Sequence, residues 1–441
     1  MEPFRYHSSE LCCEDVPLSS LAGRFGTPVY VYSRARILEN LQRIERGLAR
    51  IPHLTCYSVK ANSSLRILKL LHQAGAGFDI VSGGELSRAL KVGADPGRIV
   101  FSGVGKTKPE IDAALDTGIL MFNLESEGEL ELVESRAQLL GKRANISIRI
   151  NPDVEADTHP YISTGQNIHK FGVPLEAAPA LYRRAAGSEY LRIRGVACHI
   201  GSQILEMEPF LKALEQILAL AQQLRAEGME TEFLDLGGGF GIRYGAEKPL
   251  DFERFTGELA LRLGTFESGR AQANLPGTGG APKEYGRETP YRLILEPGRS
   301  IVGDAGALLT RVLYVKRGSK NFIVADAGMN DLIRPALYGS YHEIIPVRRH
   351  PPDTSGPPKT LLADLVGPLC ETGDFLARDR ELPEVNPGDL LTVLTAGAYG
   401  YALSSNYNTR PRPAEVMVDG SRAELMRRRE SVEVLMALEE F

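Results

Sequence analysis

Residues with unusual chemistry follow several of the short apolar runs in this sequence. Lys60 comes directly after one run, His199 after a second and Glu296 ends a third, while glycines at positions 237–239 follow a fourth. A solvated lysine gains little at the end of a buried strand, whereas an enclosed amine can lose its proton and form a Schiff base. The set therefore points to covalent amine chemistry.

The same residues fit the needs of one cofactor. The glycines leave backbone N–H groups open to an anion, and the loops after strands seven and eight of an α/β barrel are its usual phosphate site. Pyridoxal phosphate needs such a site, a Schiff-base lysine and a partner for its pyridine nitrogen. Lys60 and Glu296 would supply the last two, with His199 stacked on the ring and Asp79 at the same rim.

Each of these residues also has an ordinary structural interpretation that the sequence does not exclude. A glycine-rich loop can be a turn without a ligand, and most lysines are simply solvated. His199 could be a satisfied core histidine. Glu296 could form a salt bridge with Arg299, alone or in addition to a role with the cofactor.

The elements that must position these residues alternate between short β-rich runs and longer helical segments, the pattern of parallel strands joined by crossover helices. Eight such units predict an α/β protein with a closed (β/α)8 TIM barrel, whose active site lies at the carboxyl ends of the strands. The predicted strands are Leu54–Val59, Phe78–Val81, Arg98–Phe101, Ile119–Phe122, Asn145–Ile150, Ile193–Cys198, Glu232–Leu236 and Tyr291–Glu296. Helices are predicted at Ser64–Ala74, Glu125–Leu140 and Glu208–Glu227.

Shorter strand-like runs follow the barrel and predict a β-rich C-terminal domain. They are Ala307–Val315, Asn321–Ala325, Thr360–Val366, Leu390–Leu394 and Ala414–Val418, and a short extended run at Pro28–Tyr32 precedes the barrel. Two Gly- and Pro-rich stretches, 268–288 and 348–358, are predicted to be exposed, mobile insertions.

Composition narrows the class of function. The chain has 441 residues, 43% hydrophobic and 24% charged, with a formal charge of −5 spread along its length. Such a chain lacks the basic stripe that nucleic-acid or membrane binding requires, so we expect a small-molecule enzyme. The five cysteines have no metal-type spacing, so we predict no metal site and a reducing, cytoplasmic location. We also expect no export signal and no membrane span.

The motifs together resemble those of diaminopimelate decarboxylases, within the alanine-racemase-like (fold-type III) class of pyridoxal-phosphate enzymes. The resemblance runs nearly end to end, and its combination of motifs is far more specific than any single one. The matching elements are Tyr-Ser-Val-Lys-Ala-Asn at 57–62, Asn-Pro-Asp at 151–153, His-Pro-Tyr-Ile-Ser-Thr-Gly at 159–165, Lys-Phe-Gly at 170–172, His-Ile-Gly-Ser-Gln at 199–203, Gly-Gly-Gly-Phe-Gly at 237–241, Glu-Pro-Gly-Arg-Ser at 296–300, Arg-Pro-Ala-Leu-Tyr at 334–338, Gly-Pro-Leu-Cys-Glu-Thr-Gly-Asp at 367–374 and Ala-Gly-Ala-Tyr-Gly at 396–400.

The resemblance implies a role for each matching residue. Lys60 would hold pyridoxal phosphate covalently and His199 would stack on it. The cofactor would be surrounded by Ser202, Gly238, Gly239, Glu296, Pro297, Gly298, Arg299 and Tyr399, in addition to Asp79. The substrate would be held by Arg299, Arg334, Tyr338, Glu371 and Tyr399, and Cys370 would be the proton donor.

The resemblance also implies a homodimer, because Cys370 and Glu371 reach the site from the partner subunit in this family. Residues 34–302 would form the barrel domain. Residues 1–33 and 303–441 would form the β-rich domain, which contributes to the active site and the dimer interface. The insertion at 268–288 departs from the family pattern and leaves loop shape and subunit contacts open.

The implied reaction is decarboxylation of meso-2,6-diaminopimelate to L-lysine and carbon dioxide, the last step of lysine biosynthesis. One alternative is a decarboxylase of ornithine, lysine or arginine on the same fold, and another is a catalytically dead regulatory homologue. Arg334 and Glu371 favour diaminopimelate, since its far end carries both a carboxylate and an ammonium group. Retention of Lys60, His199, Glu296 and Cys370 argues against a dead homologue.

Overall fold

The computed structural model describes residues 2–154, 170–266, 290–349 and 359–440. The predicted insertion at 268–288 lies outside the described residues, as do all but the first two residues of the stretch at 348–358. The motif at 159–165 lies outside them as well.

The N-terminal segment forms a small antiparallel sheet, a helix and one further strand. Its elements are β1 (Phe4–His7), β2 (Glu10–Cys13), β3 (Val16–Pro17), α1 (Leu18–Phe25) and β4 (Val29–Ser33). All five residues of β4 are buried, and the first four of them are apolar or aromatic.

The next part alternates strands and helices as the sequence predicts. Its elements are α2 (Arg34–Leu48), β5 (His53–Ser58), α3 (Leu65–Gln73), β6 (Gly77–Ile80), α4 (Gly83–Lys91), β7 (Ile99–Phe101), α5 (Lys108–Thr117), β8 (Met121–Leu124), α6 (Glu127–Leu139), β9 (Ala144–Asn151), β10 (Val173–Pro174), α7 (Ala178–Ala186), β11 (Leu191–Cys198), α8 (Glu208–Ala226), β12 (Phe233–Asp235), α9 (Phe252–Phe266), β13 (Arg292–Leu295) and α10 (Arg299–Val302).

Eight of these strands close into a parallel barrel. The order is β9, β11, β12, β13, β5, β6, β7 and β8, and β8 returns to β9, with Phe122 opposite Ile146. The barrel strand that comes last in the chain, β13, pairs with the one that comes first, β5, and Leu293 lies opposite His53. The predicted barrel is therefore confirmed, and the carboxyl ends of all eight strands meet at one rim.

Local sequence sets where several barrel helices begin. Ser82 and Ser126 accept hydrogen bonds from the backbone N–H groups three residues on, at the starts of α4 and α6. Thr107 and Glu110 form a reciprocal capping box at the start of α5. Such caps satisfy N–H groups that have no partner inside the helix, so they fix the length of the loop before it.

The C-terminal part is rich in strands. Its elements are β14 (Gly306–Lys316), β15 (Phe322–Ala325), α11 (Arg334–Tyr338), β16 (Ile344–Pro346), β17 (Thr360–Val366), β18 (Phe375–Pro383), β19 (Leu390–Val393), β20 (Ala414–Asp419), β21 (Arg422–Arg427) and α12 (Val432–Met436). The N-terminal strand β4 inserts between β14 and β20, antiparallel to the first and parallel to the second. The sheet thus joins residues from both ends of the chain, as expected for a β-rich domain completed by the N-terminal segment.

The predicted strand at Ile119–Phe122 begins too early. The structure starts β8 at Met121 and places Ile119 and Leu120 in the preceding turn, where both are buried. Leu120 N–H donates to the carbonyl oxygens of Pro96 and Ile99, so it ties the segment before β8 to the start of β7. Burial alone accounts for the apolar character that suggested a strand. No helix in the described part of the chain is long and apolar enough to cross a membrane.

Candidate active site

Lys60 lies at the barrel rim, in a short 3-10 turn (Val59–Ala61) directly after β5. Its Nζ donates to Oδ2 of Asp79 at 2.6 Å and to Oγ of Ser58 at 3.3 Å. Ser58 Oγ also donates to the same carboxylate oxygen at 2.7 Å. Burial acts to lower the pKa of the Lys60 amine, but the carboxylates of Asp79 and Glu296 outweigh it and raise that pKa above its ordinary value. The amine is therefore held as a cation.

A buried polar network lies inside the barrel beneath this lysine. Asn123 Nδ2 donates to Asp235 Oδ2 at 2.9 Å and lies 3.4 Å from Glu296 Oε1. Ser102 Oγ donates to the same Glu296 oxygen at 3.3 Å, and Ser147 Oγ donates to Asn123 Oδ1 at 2.5 Å. These hydrogen bonds fix two carboxyl groups side by side in the centre of the barrel.

The two carboxyl groups cannot both ionise at little cost. Burial raises the pKa of Asp235 to about 6, while the Asn123 hydrogen bond opposes the shift. Burial and the nearby charges of Asp235 and Asp79 raise the pKa of Glu296 well above its usual range. The pair therefore retains a proton near neutral pH, which is the behaviour of like charges that share a site.

His199 lies between the lysine and the glycine-rich loop. Its Nδ1 accepts a hydrogen bond from Gly238 N–H at 3.1 Å, so that nitrogen carries no proton. Burial, together with the charges of Arg149 and Lys60, lowers the pKa of His199 well below its ordinary value. The ring is therefore a neutral, flat group at the partly buried rim.

The loop at 237–239 requires glycine for steric reasons. Gly237 and Gly239 have φ values of 69° and 98°, which favour glycine. A Cβ on Gly238 would overlap the carbonyl oxygen of Glu296, and one on Gly239 would overlap that of Gly201. The loop ends after β11, β12 and β13 can therefore approach one another closely.

Arg299 opens α10, just after Glu296, Pro297 and Gly298, all of which are buried. Its Nη2 donates to Ser202 Oγ at 3.0 Å and its Nη1 to Tyr244 OH at 2.7 Å, while its Nε has no partner among the residues that the structure describes. The salt bridge between Glu296 and Arg299 that the sequence left open is not what forms. Glu296 instead faces the inner network.

Tyr399 comes from the C-terminal part of the chain but lies at the barrel rim. Its N–H donates to the carbonyl oxygen of Ala61, beside Lys60, at 2.8 Å. The Arg299 guanidinium lies 4.9 Å from the centre of its ring. Tyr399 has a φ of 57°, a strained conformation for a residue with a side chain. The rest of the fold holds this strain, as is common at functional sites.

Arg334 and Tyr338 lie at the two ends of α11. Arg334 is only 5% exposed, and its guanidinium lies 4.6 Å from the centre of the Tyr244 ring. Tyr338 is half-buried and lies close enough to Arg299 to raise the pKa of that guanidinium, against burial and alongside Tyr244. The structure thus brings both predicted arginines together around Tyr244.

Cys370 and Glu371 are not brought to this site within the chain. Both are exposed, and the hydrogen bonds found for them among the described residues do not reach the rim. Cys370 N–H donates to Asn408 Oδ1 at 2.9 Å, and Glu371 Oε1 accepts from Gly373 N–H at 3.2 Å.

Comparison with known proteins is consistent with this geometry. The family model described as pyridoxal-dependent decarboxylase, pyridoxal binding domain, matches residues 34–303. The diaminopimelate decarboxylase of Pseudomonas aeruginosa is 49% identical over 438 residues, which cover 99% of this chain and 98% of that protein. The chain belongs to the diaminopimelate decarboxylase family.

Further relatives agree with this assignment. The diaminopimelate decarboxylase of Aquifex aeolicus is 47% identical, covering 98% of this chain and 96% of that protein. The crystal structure of diaminopimelate decarboxylase from M. jannaschii in complex with L-lysine has a TM-score of 0.90 at 34% identity, covering 100% of this chain and 98% of that one. The Helicobacter pylori enzyme, also in complex with L-lysine, has a TM-score of 0.86 at 39% identity, covering 96% of this chain and 98% of that one.

Sequence reasoning missed several residues that help to build the site. Asp235 lies inside the predicted strand Glu232–Leu236, so attention to polar residues after strand ends passed over it. Asn123 directly follows the predicted strand Ile119–Phe122 but was given no role. Tyr244 and His342 lie in connecting segments without a motif. For Asp235, a signal was available in the sequence. It is a charged residue in β12, a strand that is otherwise wholly apolar, and a buried charge requires a partner.

Proposed function

We propose that this chain decarboxylates meso-2,6-diaminopimelate to L-lysine and carbon dioxide, the last step of lysine biosynthesis, with pyridoxal phosphate as cofactor. The observation that carries the proposal is the pair of buried guanidiniums, Arg299 and Arg334, beside the rim lysine. Within the described residues, both are hydrogen-bonded only to neutral groups. Buried cations of this kind call for an anionic ligand.

The residues at the rim fit pyridoxal phosphate. Lys60 would bind its aldehyde carbon and His199 would lie against its ring. Glu296, supported by Asp235, would face the ring nitrogen. The phosphate would lie among the remaining groups: Ser202, Gly238, Gly239, Pro297, Gly298, Arg299 and Tyr399. When bound, the cofactor supplies a sink for the electron pair left by the broken Cα–carboxylate bond.

The chain's own groups manage the protons. Asp79 keeps the Lys60 amine cationic until the site is occupied, and that amine must lose its proton before it can act as a nucleophile. Glu296 holds a proton at its carboxyl group, because ionising it beside Asp235 and Asp79 is unfavourable. The neutral His199 contributes a flat surface without adding a positive charge.

The substrate would be recognised at its far end. Arg299 and Arg334 present planar forks that match a carboxylate, with Tyr338, Tyr399 and Glu371 completing the pocket. Ornithine or lysine as substrate would leave one desolvated guanidinium without its carboxylate, which disfavours those alternative reactions.

The proton donor and the subunit arrangement belong to the same proposal. Cys370 would protonate Cα, and both Cys370 and Glu371 would enter the site from the partner of a homodimer. Their exposure, and the fact that their hydrogen bonds within the described residues do not involve the rim, support this arrangement. Residues 34–302 would act as the cofactor-binding domain, and 1–33 with 303–441 as the domain that shapes the site and the dimer interface. We place the enzyme in the cytoplasm, in line with its free cysteines.

Lys60→Ala tests the proposal. The unmodified enzyme, reduced with borohydride in the presence of pyridoxal phosphate, should carry one adduct, located on Lys60 by mass spectrometry, and should produce L-lysine from meso-diaminopimelate. The variant should lose both. Lys106 is a matched internal control, since it is also buried in the barrel but is paired with Glu129 at 2.6 Å. An adduct on Lys106, or one that persists in the variant, would show that the site is assigned wrongly.

A further inference from the structure

Two buried arginines share one aromatic ring in this structure. The ring of Tyr244 lies 4.6 Å from the Arg334 guanidinium and 5.8 Å from that of Arg299. Its hydroxyl also accepts a hydrogen bond from Arg299. Arg334 is further held by Ser340, whose Oγ accepts from Nη2 at 3.2 Å. Two like charges are thus fixed side by side, so each needs firm support before an anion binds.

His342 supplies that support to Arg334. It is completely buried, and its Nε2 lies 2.9 Å from Arg334 Nη1, while its Nδ1 lies 2.9 Å from the carbonyl oxygen of Leu394. Its ring meets that of Tyr244 edge to face, 5.3 Å between centres. Arg380 Nη1 donates to the His342 carbonyl oxygen at 2.6 Å. Ring and backbone are therefore both fixed.

The two partners of His342 specify its tautomer. Arginine has no acceptor, so Nε2 must accept from Arg334, and a carbonyl oxygen cannot donate, so Nδ1 must carry the proton. Burial, and then the charge of Arg334, lower the pKa of His342 to about 3. The other charged groups that face it are the guanidiniums of Arg299 and Arg380. The ring is therefore a neutral acceptor at working pH.

We propose that His342 is a positioning residue that fixes the Arg334 guanidinium for the remote carboxylate of the substrate, and that the Tyr244 ring supports the guanidiniums of both Arg334 and Arg299. This role rests on the proposed function, and it makes His342 the residue that sets the selectivity of the enzyme for a substrate with a remote carboxylate. An arginine side chain has many rotamers, so a guanidinium held by a neutral acceptor on one side and an aromatic face on another is preorganised for a bidentate contact.

Two variants separate positioning from simple structural support. His342→Asn keeps a donor near the Nδ1 position for Leu394 but removes the acceptor for Arg334. His342→Gln keeps an acceptor near the Nε2 position and loses the donor. The readout is the ratio of the dissociation constants of the holoenzyme for L-lysine and 1,5-diaminopentane, which differ by one carboxylate. Pyridoxal phosphate affinity and melting temperature serve as controls.

The unmodified enzyme should bind L-lysine more tightly than 1,5-diaminopentane. His342→Asn should reduce that preference by on the order of 10- to 100-fold, the usual cost of a displaced binding group, whereas His342→Gln should keep most of it. Equal losses of both ligands in both variants, or an unchanged ratio in His342→Asn, overturn the proposal while the proposed function stands. No preference in the unmodified enzyme overturns both.

A measurement on the unmodified enzyme does not depend on whether the variants fold. Nitrogen-15 NMR of histidine-labelled holoenzyme should find His342 neutral, protonated at Nδ1 and unprotonated at Nε2, from pH 6 to pH 9. A proton at Nε2 would exclude the hydrogen bond from Arg334 and overturn the proposal.

Discussion

The ion pair between Lys60 and Asp79 makes the reactivity of the lysine depend on a single charge. Asp79 is fully buried, its Oδ2 lies 2.6 Å from Lys60 Nζ, and its Oδ1 finds no hydrogen-bond partner within the described part of the chain. Asp79→Asn keeps the shape of the side chain, can place its oxygen toward Lys60, and removes the charge. We therefore expect the variant to fold and the pKa of the amine to fall.

The size of the fall follows from the contact. An opposite charge at this range raises an amine pKa by about one to three units. Because the Lys60 side chain is 35% exposed, solvent screening favours the lower part of that range, about one to two units. Only the neutral amine attacks an aldehyde, so at pH 8 the reactive fraction should rise about 10- to 100-fold.

The assay follows covalent capture of pyridoxal phosphate by the apoenzyme across a range of pH, with borohydride trapping at timed intervals. The midpoint of the rate profile reports the pKa of Lys60 and does not depend on how tightly the phosphate binds. Ser58→Ala is the matched control, since Ser58 contacts both Lys60 and Asp79 but is uncharged. Its midpoint should stay close to that of the unmodified protein. An Asp79→Asn midpoint equal to or higher than the unmodified one would refute the reasoning.

Two further predictions concern assembly and stability. Mixing the Lys60→Ala and Cys370→Ala proteins under conditions of subunit exchange should restore about a quarter of full activity, because half of the dimers would be mixed and one of the two sites in each mixed dimer would be intact. No recovery despite demonstrated exchange would count against shared sites. Burial raises the pKa of Asp331 to about 7. Between about pH 4 and pH 7 the native state therefore keeps a proton on Asp331 that the unfolded state has lost, so the free energy of unfolding should fall as the pH rises through this range. Asp331→Asn should remove up to about 3 kcal/mol of this fall between pH 5 and pH 8, at about 1.4 kcal/mol for each of the roughly two pH units below the folded pKa, as measured by urea unfolding at the two pH values. An unchanged difference would contradict the prediction.

The barrel was predictable because parallel strands buried on both faces read as continuous apolar runs. β7 is an example, with all three of its residues apolar and buried. Closure into a barrel then placed Lys60, His199 and Glu296 at one rim before any contact was known. The edge strands were not predictable in this way. β18 and β21 carry several charged, exposed residues, so their composition resembles that of loops.

Much of the candidate site could not be predicted from the sequence, because it is built from contacts between distant parts of the chain. Tyr244 and His342 acquire meaning only when a loop after β12 meets the segment after α11, and no local pattern marks either residue. Asn123 likewise matters because it touches Asp235, 112 residues away. In the proposed homodimer, the positions of Cys370 and Glu371 relative to the rim would depend on the second subunit, which neither the sequence pattern nor a single chain fixes.

The most direct test of the central claim compares carbon dioxide release from meso-diaminopimelate, ornithine, lysine and arginine by the purified holoenzyme. If Arg299 and Arg334 recognise a remote carboxylate, kcat/KM for meso-diaminopimelate should exceed that for the other three by about 10⁴-fold, as in sites whose buried polar groups a poorer substrate leaves unpaired. Equal efficiency with ornithine or lysine would contradict the account of the pocket.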